Sequence, residues 1–250
     1  MARTIKRTDG TVVTEKEAKP VGNPTPYRIG AIACWLVAIA MEVLAVLVFV
    51  GKIDLGFVST MVQLIGFLVI DLIFVCVGSL LWKKANHIDP ASKKNKALFW
   101  LYNNLGVIVC AFAFVPFIII ALTDKKADKK TKTIATVVAV IALLIGSLFG
   151  IDWNPISAEE KDAAVEALGD SEVCWTTFGR VYHTSEECGH LNHSDSLTVG
   201  TVEEAIAAGK SRICKDCQAR DNIIIDENAE KTTETSSEAP AEETTEEPAA

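Results

Sequence analysis

Four long apolar runs constrain this chain more than any other feature. They cover Ile29–Val50, Leu55–Trp82, Ala97–Leu122 and Thr133–Ile151, or 22, 28, 26 and 19 residues. A helix needs roughly 20 apolar residues to cross a bilayer's hydrocarbon core. Backbone groups inside lipid must find partners within their own segment, which leaves helix as the practical conformation. A helix buried in a soluble protein would carry a polar stripe at 3.6-residue spacing, and these runs mostly lack one. The chain therefore reads as membrane α-helical with about four transmembrane helices. Half of its residues are hydrophobic, yet 22% are charged. The charges sit at the two ends and in two short loops.

Lysine and arginine asymmetry sets the orientation. The N-terminal tail 1–28 holds six and the loop 83–96 five. With four spans both share a side with Lys161, against six on the other side, Lys52 and five lysines between 125 and 132. The bias places both ends of the bundle in the cytosol. A second topology stays open: Asn103, Asn104, Gly106 and Pro116 interrupt the third run, and a re-entrant third segment would put both lysine loops inside and the C-terminus outside. The basic start, without an early apolar run, does not read as a cleavable secretory signal. Trp82, Trp100, Tyr102 and Trp153 lie near run ends, where aromatic belts are expected.

Beyond the spans, Ser157 with Glu160 forms a capping box ahead of a short stalk helix within 152–170, stopped by Gly169. The last segment, 223–250, is rich in Glu, Thr and Pro. Its part 226–250 holds nine acidic residues against Lys231, so the net charge of −8 is a property of the tail. Such a composition cannot bury enough apolar surface to fold and predicts disorder.

Between them, 171–222 carries a Cys/His constellation in a small α+β pattern. Val173–Phe178 and Val181–Tyr182 read as two strands of a hairpin turned at Gly179-Arg180. His183 and Cys188 follow at once. Thr201 and Glu204 cap a short helix that stops at Gly209, and Cys214-Lys215-Asp216-Cys217 closes the segment. A metal ion, zinc above all, takes four such donors in a tetrahedron. About 45 residues are too few for a self-sufficient core without metal or disulfides. A site filled by His183, Cys188, Cys214 and Cys217 has no open position, which marks structural rather than catalytic zinc. Disulfides among Cys174, Cys188, Cys214 and Cys217 stay open if the segment is exported, as does a redox role for the Cys-x-x-Cys pair. His190 or His193 is an alternative ligand to His183. Cys174, before Trp175 in a strand pattern, reads as a packed residue.

The residues Thr176-Thr177-Phe178-Gly179, His183, Cys188 and Ala208–Cys217 resemble the metal-binding domain of bacterial Ada-type DNA-repair proteins. They are still more similar to a family of uncharacterised bacterial multi-pass membrane proteins with this C-terminal pattern. The Ada resemblance covers about a fifth of the chain and implies the layout of a metal site. In that family one cysteine of the first pair accepts a methyl group, and here His183 stands at the position that looks like the acceptor, so methyl transfer is not implied. Nucleic acid is not an expected partner, because acidic residues outnumber Lys and Arg across the module.

Two carboxylates lie inside the spans, Glu42 and Asp71. Counted from the turn near Lys52, Asp71 is about eight residues deeper, roughly 12 Å at the helical rise. The spacing predicts separate positions, each hydrogen-bonded to Gln63, Asn103, Asn104 or Thr136 or protonated. No HExxH-type motif and no placed general base indicates an enzyme. The sequence thus predicts a membrane-embedded binding protein that presents a zinc-stabilised module to a protein or small ligand, with self-association as a further expectation. The rival is a small ion-coupled transporter or channel-like protein that uses Glu42 and Asp71.

Overall fold

The computed structural model describes residues 4–6, 12–17, 21–56 and 58–225. The acidic tail 226–250, expected to be disordered, lies outside the described residues.

Four helices have the length and hydropathy of membrane spans: α1 (Thr25–Phe49), α2 (Thr60–Ile88), α3 (Lys96–Thr123) and α4 (Lys129–Gly150). Their ends differ from the apolar runs for local reasons. α1 starts early because Pro24 and Pro26 fix the first turn. α2 starts five residues later than the run at Leu55. Gln63 holds the preceding loop open by donating to Asp54 Oδ1 and the Val58 carbonyl while accepting from the Leu55 N–H. α3 and α4 begin where Asn95 and Asp128 accept from the N–H three residues on. α2 continues past Trp82 to Ile88, and α3 is one continuous helix through Pro116 rather than a re-entrant segment.

Small residues line the helix contacts, as expected where lipid removes the hydrophobic drive for association. Ala31, Ala38 and Ala45 recur every seventh residue on the inner face of α1. Ala135, Ala139, Ala142, Gly146 and Gly150, three or four residues apart, line the inner face of α4. The backbones of α3 and α4 meet at Gly106 and Gly150, where a Cβ on Gly150 would lie 2.6 Å from the Val107 nitrogen. The opposite faces, with Leu36, Val43, Ile73, Phe112 and Leu144, are exposed apolar surface suited to lipid. Trp82 departs from the expected belt. It turns inward, donates to the Tyr102 carbonyl at 2.9 Å and stacks near Trp35, while Trp100 and Trp153 stay exposed.

The C-terminal module comprises α5 (Ala158–Leu168), β3 (Val173–Trp175), β4 (Val181–Tyr182), a 3-10 turn (Gly189–Leu191), β5 (Ser196–Gly200), α6 (Val202–Ala207), β6 (Arg212–Ile213) and α7 (Lys215–Arg220). Both capping boxes form as the sequence predicts. The stalk reading needs correction: Ile156, Ala164 and Leu168 join the module's core, so α5 is part of it. Ile223 and Ile225, read as the start of the tail, pack against the same core.

The N-terminal tail also contributes. Strands β1 (Thr4–Lys6) and β2 (Val12–Glu17) extend the module's sheet in the order β1-β2-β5-β3, with β2 parallel to β5 and the other pairs antiparallel. The chain before α1 thus meets the chain after α4, so both ends of the four-helix bundle lie on one side.

Polar ties seat the module on the bundle. Lys83 Nζ donates to the Ile151 carbonyl, Lys84 Nζ to the Ala207 carbonyl and Lys161 Nζ to the Ile88 carbonyl. Ser92 and the Lys93 N–H bind Glu159, and Lys93 pairs with Glu160. Asn154 donates to the carbonyls of Arg180 and Gly209.

Candidate metal centre

The module's two sheets position four donor side chains. β3 finds its ladder partner in β5, while β4 pairs in parallel with β6, so the expected hairpin is reduced to one antiparallel bridge. That bridge joins Cys174 and His183 through reciprocal backbone bonds of 2.8 Å and fixes the backbone of His183. β6 delivers Cys214 beside it, with the Cys214 N–H donating to the Tyr182 carbonyl at 2.8 Å. Cys214 and Cys217 occupy the first turn of α7, and Cys188 precedes the 3-10 turn.

The donor atoms of His183, Cys188, Cys214 and Cys217 all lie within 4.8 Å of one another, and all four residues are buried. Cys188 Sγ is 3.9 Å from Cys214 Sγ, and Cys217 Sγ is 3.8 Å from His183 Nδ1. A tetrahedral ion with Zn–S of about 2.3 Å separates its sulfurs by roughly 3.8 Å. A disulfide would require about 2.05 Å. The structure therefore brings the four predicted ligands into a cluster that could hold a metal ion, with Cys188 and Cys214 at the sulfur spacing of a shared ion.

Burial, together with the neighbouring Cys217 and Cys214 sulfurs, pushes the Cys188 thiol up to about 11, against a His190 N–H that lowers it. A divalent cation inverts this logic and deprotonates a coordinating thiol outright. Burial, then the nearby His190, lowers the His183 pKa and keeps the imidazole in its neutral, ligating form.

The alternative ligands do not enter the cluster. His190 Nε2 lies 2.9 Å from Asp216 Oδ2 on the exposed side, and His193 is also exposed. Cys174 is buried in the core, as its strand context suggested, and is outside the donor set.

Sequence reasoning missed two contributors. Lys210 is buried and its Nζ donates to the carbonyls of Thr177 and Gly179, which pins the β3–β4 turn that leads to His183. His87 pairs with Asp152 at 3.0 Å where bundle meets module. A lysine amid Gly-Lys-Ser and a histidine past a span carry no periodic signal, so neither stood out.

Glu42 and Asp71 are both buried, within electrostatic reach of one another, and not separated as the sequence suggested. The late start of α2 removes about half of the offset. Glu42 sits seven residues before the end of α1 and Asp71 eleven after the start of α2, a depth difference of about 6 Å at the helical rise. The expected polar partners are spent elsewhere: Gln63 on its loop, Asn103 and Asn104 on carbonyls of their own helix. Thr136 Oγ1 has no partner among the described residues.

No known protein family, curated protein or solved structure matches the chain.

Proposed function

We propose that this is an integral membrane protein whose four-helix bundle holds a structural-zinc module at the membrane surface for binding a protein or small ligand. The observation that carries the zinc reading is the spacing of one imidazole nitrogen and three sulfurs within 4.8 Å, all from buried residues. Three thiolates and an imidazole are soft and borderline donors that suit zinc better than magnesium or calcium. Four protein ligands leave no open position for water or substrate, so the ion's role is to fix the module's shape. The resemblance of 173–217 to Ada-type metal-binding domains points the same way for the layout of the site and does not extend to methyl transfer. Reduced thiols and the lysine bias both favour the cytosolic face of the cell membrane.

The test is metal content and free-thiol count on the full-length protein in detergent. One zinc per chain, released together with module structure by a chelator, is the expected result. Absence of metal with paired cysteines sinks the zinc reading and moves the module to an oxidising compartment.

A further inference from the structure

Glu42 and Asp71 are the two ionisable carboxylates buried inside the spans, and the function proposed above uses neither. Glu42 lies on the inner stripe of α1 with Trp35, Ala38 and Ala45, at 5% exposure. Asp71 lies on the inner stripe of α2 with Leu64, Leu68 and Val75, at 0%. Glu42 Oε1 accepts from the Phe117 N–H of α3 at 3.1 Å. That amide follows Pro116, whose ring interrupts the helical ladder one turn back. The other three carboxyl oxygens, Glu42 Oε2 and both of Asp71, are buried with no hydrogen-bond partner among the described residues.

No positive charge answers them. The four apolar runs contain no Lys, Arg or His. Lys83 at one end of the bundle donates to the Ile151 carbonyl, and Lys132 at the other to the Asp124 carbonyl. Near Asp71, α3 adds only the Cys110 thiol, and α4 offers no titratable group between Thr133 and Gly150. An ionised carboxylate in such surroundings is costly, and two within reach of one another more so. A metal cation does not resolve the conflict. Hard cations gather about six oxygen ligands, whereas the one group set against Glu42 is an N–H donor. A proton on a carboxyl oxygen resolves it with the atoms present.

We propose that Glu42 and Asp71 form an intramembrane protonation site, a carboxyl pair whose ligand is a proton. Oε1 of Glu42 stays an acceptor for Phe117, so the proton resides on Oε2 or on Asp71, whose oxygens have no other partner among the described residues. A proton held on a mid-bundle carboxyl is the local chemistry that a proton-coupled membrane protein requires.

The experiment is infrared spectroscopy of the full chain in lipid vesicles at neutral pH, about three units above the ordinary carboxyl pKa. The expected spectrum contains the C=O band of a protonated carboxyl, shifted by deuterium oxide and lost in the double variant Glu42→Gln, Asp71→Asn. Glutamine keeps the oxygen that faces Phe117, and asparagine keeps the shape of Asp71. Should the double variant fail to assemble, wild-type protein labelled with carbon-13 carboxyl aspartate or glutamate answers the question through the isotope shift of the same band. A neutral-pH spectrum with no such band overturns the proposal, as does a band that neither label shifts.

Discussion

His87 Nε2, in the last turn of α2, lies 3.0 Å from Asp152 Oδ2, two residues beyond α4, and both side chains are buried. Two helices distant in sequence thus close on one another where the module begins. Burial alone would raise the Asp152 pKa. The hydrogen bond and charge of His87, the Asn154 N–H and the charge of Lys83 outweigh it and hold the carboxyl below the usual range.

A depressed folded-state pKa stabilises the docked form above the unfolded value of about 3.9, and that stability is lost as pH falls through the folded value. Asp152→Ala leaves His87 buried without its partner and should cost about 2 kcal/mol, in the range for a lost hydrogen bond to a charged group. Hydrogen exchange across 83–92 and 152–161 should accelerate in the variant at neutral pH, and in wild type only on strong acidification. Identical protection in both would mean that the lysine and Glu159 ties suffice alone.

Glu159 supports the same junction from α5. Burial is the largest single influence and opposes its charge, but Ser92, the Lys93 N–H and further hydrogen bonds together outweigh it and hold its pKa at about 2. Its contribution is therefore complete above the ordinary glutamate pKa and lost as pH falls toward 2. Ser92→Ala should raise the Glu159 pKa measured by NMR and leave the metal content untouched.

For the metal centre, Cys214→Ser should remove bound metal and expose the 171–222 region to protease, since one lost donor breaks a closed site. His183→Cys should retain metal as a four-cysteine site, because the three sulfurs lie within 4.8 Å of the ring nitrogen it replaces, Cys217 Sγ at 3.8 Å. Metal analysis of the two variants side by side separates loss of a ligand from loss of the fold.

Lys210 holds the carbonyls of Thr177 and Gly179, and its burial keeps water from replacing it. Lys210→Met keeps the stem and removes the donor. The expected cost is about 1–3 kcal/mol for buried acceptors left unpaired, read as a lower melting temperature for the module with α1–α4 unchanged.

In the bundle, Gly150→Leu should separate α3 from α4, because even a Cβ there would lie 2.6 Å from the Val107 nitrogen and 2.8 Å from the Gly106 carbonyl carbon. Backbone on both sides leaves nothing flexible to yield. Loss of the monodisperse form in detergent is the readout, with exposed Leu144→Ala as the neutral control.

The donor set of the metal centre was legible in the chain because ligand chemistry restricts residue type and local spacing: Cys-x-x-Cys, and His183 five residues before Cys188. The capping boxes at Ser157 and Thr201 were legible for the same local reason. The depth of Asp71 relative to Glu42 was not. It depended on Gln63 organising the preceding loop through Asp54 and Val58, and no sequence window reports that.

By itself the sequence determined the elements whose cause is short-ranged. Four membrane-length apolar helices follow from apolar length, α5 and α6 from their caps, and the four candidate metal donors from donor type. Only the tertiary structure decided which distant segments share a surface. It turned Lys84 from mere charge into an arm on the module, joined the N-terminal strands to β5, drew α5 into the core, and set Glu42 against the Phe117 amide. Such pairings depend on where helices start and how closely glycines let them approach, and a shift of a few residues along a helix changes every contact it makes.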